Sequence, residues 1–345
     1  MRTFAIFGVV LAHILSGRSL IIKWPDVTLL ESVVYSFFYF ISILSVPIFL
    51  FITGYLFLDR DYDKNAVIRF YKKNFLGLYI VYIIWFICYA FFENIVGDYS
   101  LTFHSIFNIL TLRPDRIIYD LIYSFHLWYF PVILRIYLFI PLIAILLKKF
   151  MNKLTLFIYI LWFLYIFIPP MLSVIGYSYN YELYRQFRFE YDEYFMYVLC
   201  GYFIKQNFFK GIPNVGVISI FIMSLLSSIL MLVNSLYFNL PFDVLTVFVA
   251  ATALMIITER YYKRKTDGFM LDLSVNSLAI YIIHLPILAM FYYAIFLPNY
   301  GEYFRLLFIS FPVLTLFPII IFLSNTLVNF LKKSKFLSKY VLYMR

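Results

Sequence analysis

The sequence predicts an all-α polytopic membrane bundle of about ten transmembrane helices with both termini cytoplasmic. Three observations lead there. Of the 345 residues, 64% are hydrophobic and only 13% charged, a balance that would leave a water-soluble domain with apolar surface it has no polar residues to cover. Long apolar runs recur along the whole chain, many close to the ~20 residues that a helix needs to cross the hydrocarbon. Strict alternation over strand-length segments, the mark of a membrane β-barrel, is absent, so the runs must satisfy their own backbone as helices.

The apolar stretches cover 3–15, 32–58, 75–92, 127–147, 154–172, 194–204, 215–237, 244–258, 273–296 and 306–331. The first and sixth are short, so each borrows flanking polar residues or sits where neighbouring helices shield it from lipid. A secretory signal is an alternative for the first. No small-x-small cleavage site follows it and further apolar stretches do, so it reads as a retained helix.

Orientation comes from the cations. Arg2, the run 60–73, Lys148, Lys149, Lys153, Lys205, Lys210, the run 260–265 and the tail 332–345 fall on one side. Arg18, Lys23, Arg113, Arg116, Arg185, Arg188 and Arg305 fall on the other. The richer side is cytoplasmic by the positive-inside rule, and it includes both termini. The net charge of +10 then faces anionic membrane lipids; no basic groove interleaved with stacking aromatics points to nucleic acid.

No linker, low-complexity tract or internal period stands out, so residues 1–345 are expected to form one transmembrane domain with no appended soluble domain. Cys88 and Cys200 lie inside apolar runs, where cysteine packs as a small hydrophobe. Walker loops, His/Cys metal spacings and GxSxG elbows are missing, which leaves nucleotide hydrolysis, a metal site and a serine hydrolase unsupported.

Five groups of residues carry chemistry. Arg2 and His13 are eleven apart on the first helix, which returns them to within ~20° of one face and separates them by ~16 Å along the axis. A neutral imidazole inside the membrane can accept a proton from a hydroxyl; alternatively Arg2 is a topological anchor and His13 a helix-to-helix hydrogen bond. Arg135 lies about 12 Å from the outer end of its span, where an unpaired guanidinium is costly. It contacts a donor phosphate or acceptor anion, or it forms a buried structural pair.

His126 and Trp128 open the same span at its outer face, as residues lining an acceptor site or as part of an aromatic belt. Tyr281 and His284, three apart, share one face of the ninth span, and Pro286 loosens the turn below it. A polar pocket and plain helix packing are both open there. The segment YNYELYRQFRFEYDEY can stack sugar rings, with Arg185, Arg188, Glu182 and Glu190 as hydroxyl partners, or anchor the chain at the interface. Asp120 would assist His126 if its loop folds back, and His104 is expected to be solvated.

The opening RTFAIFGVVLAH resembles the first-helix signature of the integral-membrane acyltransferase family 3, the acyl-CoA-dependent O-acyltransferases of surface glycans. In order along the chain, VPIFLFITGYLFL is similar to that family's second helix, HLWYFPVILRIYLFIPLI to its aromatic-and-proline helix and SLAIYIIHLPIL to its penultimate helix. Thr53 stands where the family usually has serine, which keeps a hydroxyl, and Arg2 is the second residue where members generally carry a longer lead.

The resemblance implies transfer of an acyl group, usually acetyl, from cytoplasmic acyl-CoA to a hydroxyl of a cell-envelope polysaccharide or lipid-linked sugar, with acyl-CoA as co-substrate and no bound cofactor. It maps the family's histidine to His13, as general base or transient acyl carrier, and its arginine to Arg2, as a hold on the donor. It assigns Arg135 no role. Some relatives carry an extracytoplasmic esterase-like domain, so any second transfer step here falls to a separate envelope-synthesis protein. Two other classes compete: a transporter or flippase of a lipid-linked glycan, against which no paired broken helices are evident, and a structural subunit of an envelope-synthesis complex.

Overall fold

The computed structural model describes residues 1–19, 29–96, 102–112, 125–150, 153–174, 192–238, 244–262, 268–296 and 312–344. Each of the ten apolar stretches carries helix where it is described, and no strand occurs among the described residues. By backbone proximity the chain divides into two compact units, residues 1–60 with 143–266 and residues 61–142 with 267–345.

The helices are α1 (Arg2–Ser19), α2 (Leu29–Ile43), α3 (Ser45–Phe57), α4 (Lys64–Phe70), α5 (Leu76–Val96), α6 (Phe103–Leu110), α7 (Tyr129–Phe150) and α8 (Lys153–Val174). They continue as α9 (Asp192–Lys205), α10 (Asn214–Phe238), α11 (Val244–Tyr261), α12 (Gly268–Val275), α13 (Ser277–Phe296) and α14 (Pro312–Leu331). Two π-helical turns, Tyr71–Phe75 and Leu337–Val341, and one 3₁₀ turn, Phe125–Trp128, complete the elements described.

In the first unit α3 and α9 pack most closely, and their sequences show why. A Cβ on Gly54 would collide with the Val198 carbonyl, and one on Gly201 would collide with the backbone of Phe51. Each glycine therefore admits the other helix's main chain, the small-residue contact that substitutes in lipid for a hydrophobic driving force. Around it Phe51, Phe163, Phe167, Tyr197 and Phe248 interlock with ring centroids 4.7–6.2 Å apart. Gly8 makes room on α1 in a related way, since a Cβ there would collide with the Ser45 hydroxyl and press on the carbonyls of Ile41 and Ser42. Below the α3–α9 contact, Asp59 accepts from Gln206 at 2.6 Å and pairs with Lys205 at 3.6 Å. Arg260 ties the turn after α9 by donating to the carbonyls of Phe209 and Ile212 and to Asn214 Oδ1.

The second unit is built on α5, α7 as far as Leu142, and the α12–α13–α14 group. Asp63 caps α4 by accepting from the Ala66 amide at 2.6 Å, after which the chain passes through the first π turn into α5. Tyr71 donates to the Leu138 carbonyl at 2.8 Å, fixing that turn against α7.

Four segments, Ser32–Phe57, Lys64–Phe91, His126–Phe150 and Asn214–Val233, are long and apolar enough to cross a membrane among the described residues. A fifth exists if Gly268–Val275 and Ser277–Phe291, bent by 83° at their junction, form one broken span. Shorter apolar helices occupy Arg2–Ser16, Leu156–Ile168 and Thr315–Leu331. The outward residues of α10, among them Ile222, Met223, Leu226 and Leu230, are exposed and apolar, as lipid-facing positions require.

Candidate functional site

Pro286 lies inside α13, which continues unbroken to Phe296. Proline has no N–H, so the carbonyl of Ile282, one turn earlier, loses its helical donor. Two side chains replace it: Tyr89 donates its hydroxyl to Ile282 O at 2.8 Å, and His126 Nε2 lies 3.3 Å from the same oxygen. Because a carbonyl only accepts, Nε2 of His126 carries the hydrogen, and in the neutral ring Nδ1 holds the lone pair. Tyr281 in turn donates to the main-chain carbonyl of His126. The 3₁₀ turn that opens α7 is thereby stitched to α13.

His284 completes the cluster. Its Nδ1 lies 2.7 Å from Tyr281 O and 3.1 Å from Ile280 O, so Nδ1 is the protonated nitrogen and Nε2 the acceptor. The two imidazoles stand 5.7 Å apart and nearly perpendicular, with Tyr281 5.5 Å and Tyr89 5.2 Å from the His126 ring. Both histidines have 0% exposure. Tyr82, Phe130 and Tyr129 wall the cluster, and Trp128, half-buried, packs edge-on to Tyr129 at 6.1 Å. The site thus brings two imidazoles of fixed tautomer together inside an aromatic enclosure.

Arg135, half-buried on α7, donates to the main-chain carbonyl of Leu112, just past the end of α6. Tyr79 donates to the Leu110 carbonyl at 2.9 Å beside it. A guanidinium and a phenol therefore satisfy carbonyls that α6 leaves open at its C-terminus, where a cation is also favoured by the helix dipole.

In the first unit Arg2 and His13 occupy one uninterrupted helix, α1, whose 18 residues preserve the common stripe. Arg2 is exposed and His13 half-buried. Ile6, seven residues before His13 and on the same face, is fully buried, as is Val10, so the stripe between Arg2 and His13 is closed over at its middle.

One polar cluster escapes the sequence reading entirely. Asp272 on α12 accepts from Asn325 Nδ2 at 3.0 Å, Asn329 Nδ2 at 2.6 Å and Lys332 Nζ at 3.0 Å. Asn276, at the 83° bend, donates to Asn325 Oδ1 at 2.7 Å and Asn329 Oδ1 at 3.0 Å. The sharp break in this region is thus at Asn276, whereas Pro286 frees a carbonyl without breaking its helix. A signal is present in the spacing: Asp272 and Asn276 are i, i+4, and Asn325, Asn329 and Lys332 are i, i+4, i+7, each set one stripe on its helix.

The loop residues Glu182, Arg185, Arg188 and Glu190 and the acidic Asp120 lie outside the described residues, as does the side chain of His104.

Compared with known proteins, residues 1–328 match the family model of acyltransferase family 3, described as an acyltransferase domain. No curated protein and no solved structure shows a significant match.

Proposed function

The chain belongs to this acyltransferase family, and from that premise we propose that it moves an acyl group, acetyl in the first instance, from cytoplasmic acyl-CoA to a hydroxyl of a cell-envelope polysaccharide or lipid-linked sugar. It acts as a multi-pass protein of the cytoplasmic membrane, with ten spans and both termini cytoplasmic. The observation that carries the reading is α1: a continuous helix within the family match, bearing an exposed guanidinium and a half-buried imidazole on one stripe.

In this reading the acceptor hydroxyl gives its proton to the neutral imidazole of His13 as its oxygen attacks the thioester carbonyl. The new C–O bond forms, the C–S bond breaks, and the proton passes to the departing CoA thiolate. Transient acylation of His13 is the variant mechanism. Arg2, a permanent cation, holds the anionic donor at the cytoplasmic mouth. His126, Tyr281 and His284, with Trp128 beside them, supply hydrogen-bonding and stacking groups for a sugar, and Arg135 contacts a donor phosphate or acceptor anion or serves a structural pairing.

His13→Ala should abolish acceptor acylation in membranes where the protein accumulates normally, measured as CoA release from acetyl-CoA and as the mass of the envelope glycan. Undiminished acylation removes His13 from catalysis. The broken α12–α13 pair lends some weight to a flippase, since such breaks line substrate paths. CoA release by the purified protein separates the two, because a flippase releases none.

A further inference from the structure

Arg69, Lys72 and Lys73, at the end of α4 and in the first π turn, converge with Lys335 and Lys339 of the C-terminal tail around an open recess of about 620 Å³, which Ser338 and Met344 also line. No carboxylate is among these lining residues. We infer that this recess binds a phosphate-bearing anion at the cytoplasmic face, presented either as the headgroup of an anionic phospholipid or as a soluble phosphate ester.

The arrangement is held by backbone contacts that bring like charges together. Tyr343 donates its hydroxyl to the carbonyls of Lys73 at 3.0 Å and Asn74 at 3.1 Å, and Trp85 Nε1 donates to the Val341 carbonyl at 2.7 Å. Leu342 is buried beneath the tail. Tyr343 itself has a φ of 55°, a left-handed conformation that a bulky residue adopts only when its surroundings impose it. Both π-helical turns of the described residues border the recess, so the cations sit on turns of unusual geometry rather than on a regular solvated helix face.

Lys335 and Lys339 are i, i+4, a like-charge pairing that is unfavourable without a counter-anion, and Lys72 and Lys73 line the same recess. An anion of more than one charge offsets this. Phosphate fits the donor set: Arg69 offers a planar fork, the lysines compact point charges and Ser338 a hydroxyl. Basic recesses beside membrane spans are a recognised mode of lipid headgroup capture. Lys335, Ser338, Lys339 and Met344 lie beyond the family match, which ends at residue 328, so four of the seven lining residues fall outside it.

The test uses the full chain in nanodiscs of phosphatidylcholine, to which phosphatidylglycerol is added in the bilayer or 3′-phosphoadenosine 5′-phosphate in solution. Thermal unfolding and direct binding are read without turnover, so the outcome is independent of which residues transfer the acyl group. One addition should raise the unfolding midpoint, and the one that does identifies the source of the phosphate. Lys72→Gln/Lys339→Gln should weaken that binding about tenfold or more, while Lys148→Gln/Lys149→Gln, adjacent lysines that do not line the recess, should leave it unchanged. Added salt should release the ligand from the unaltered protein, a readout that survives if the double variant fails to accumulate. Absence of stabilisation by either addition, equal loss in both double variants, or binding indifferent to salt would each overturn the inference.

Discussion

Replacing Gly201 by alanine would place a methyl group 2.9 Å from the carbonyl carbon and the Cα of Phe51, and closer still to its carbonyl oxygen. Ordinary contact begins near 3.4 Å, so α3 and α9 must part by at least half an ångström, and a main chain inside a helix has no rotamer by which to step aside. Overpacking of this kind costs about 1–3 kcal/mol, and the site belongs at the upper end because the obstacle is backbone. Alanine returns about 1 kcal/mol through its better helix propensity. The net expectation is a loss of about 1–2 kcal/mol. Gly211 is the internal control, since a Cβ there meets nothing within 4 Å. Unfolding midpoints of the two variants in the same detergent should differ, with Gly201→Ala lower and Gly211→Ala at the parental value. Coincident midpoints would sink the argument that the glycines set the α3–α9 spacing.

Asp272→Ala removes one carboxylate that accepts from two amides and an ammonium, and should destabilise by about 1–3 kcal/mol. Lys332→Met, which breaks only the partly exposed ion pair, should cost under about 1 kcal/mol; equal losses in unfolding experiments would mean that the ion pair and not the amide network holds α12 to α14. Tyr89→Phe should cost about 1 kcal/mol in the parental protein and less in a Pro286→Ala background, where the restored N–H serves Ile282 O; strict additivity in that cycle would refute the freed-carbonyl account.

The positions of the helices are legible in the sequence because lipid permits few ways to satisfy a backbone, so any long apolar run becomes helical whatever else it does. Interruptions are harder to read. Asn276 sits within a run whose mean hydropathy hides one carboxamide, and its bend is stabilised by Asn325 and Asn329, distant in sequence and uncharged, hence silent in a survey of ionisable groups. Pro286 presents the opposite difficulty. Proline does release a carbonyl, as the sequence foretells, but the chain can answer by bending or by bringing Tyr89 and His126 to that oxygen, and only tertiary packing selects the second.

The proximity of His126 to His284 is likewise invisible in each motif alone, since one belongs to the turn opening α7 and the other to α13. The stretch VPIFLFITGYLFL contains Gly54 but gives no hint of Gly201, its counterpart across the α3–α9 contact. Each tail lysine reads as ordinary positive-inside charge, which is correct for any one of them. Their convergence with Arg69, Lys72 and Lys73 comes from the hydroxyl of Tyr343 and the indole of Trp85, which anchor the tail through main-chain carbonyls. Residue type reveals the chemistry a position can perform. In this chain the contacts that decide whether it is performed are made largely to carbonyl oxygens, and every residue type has one.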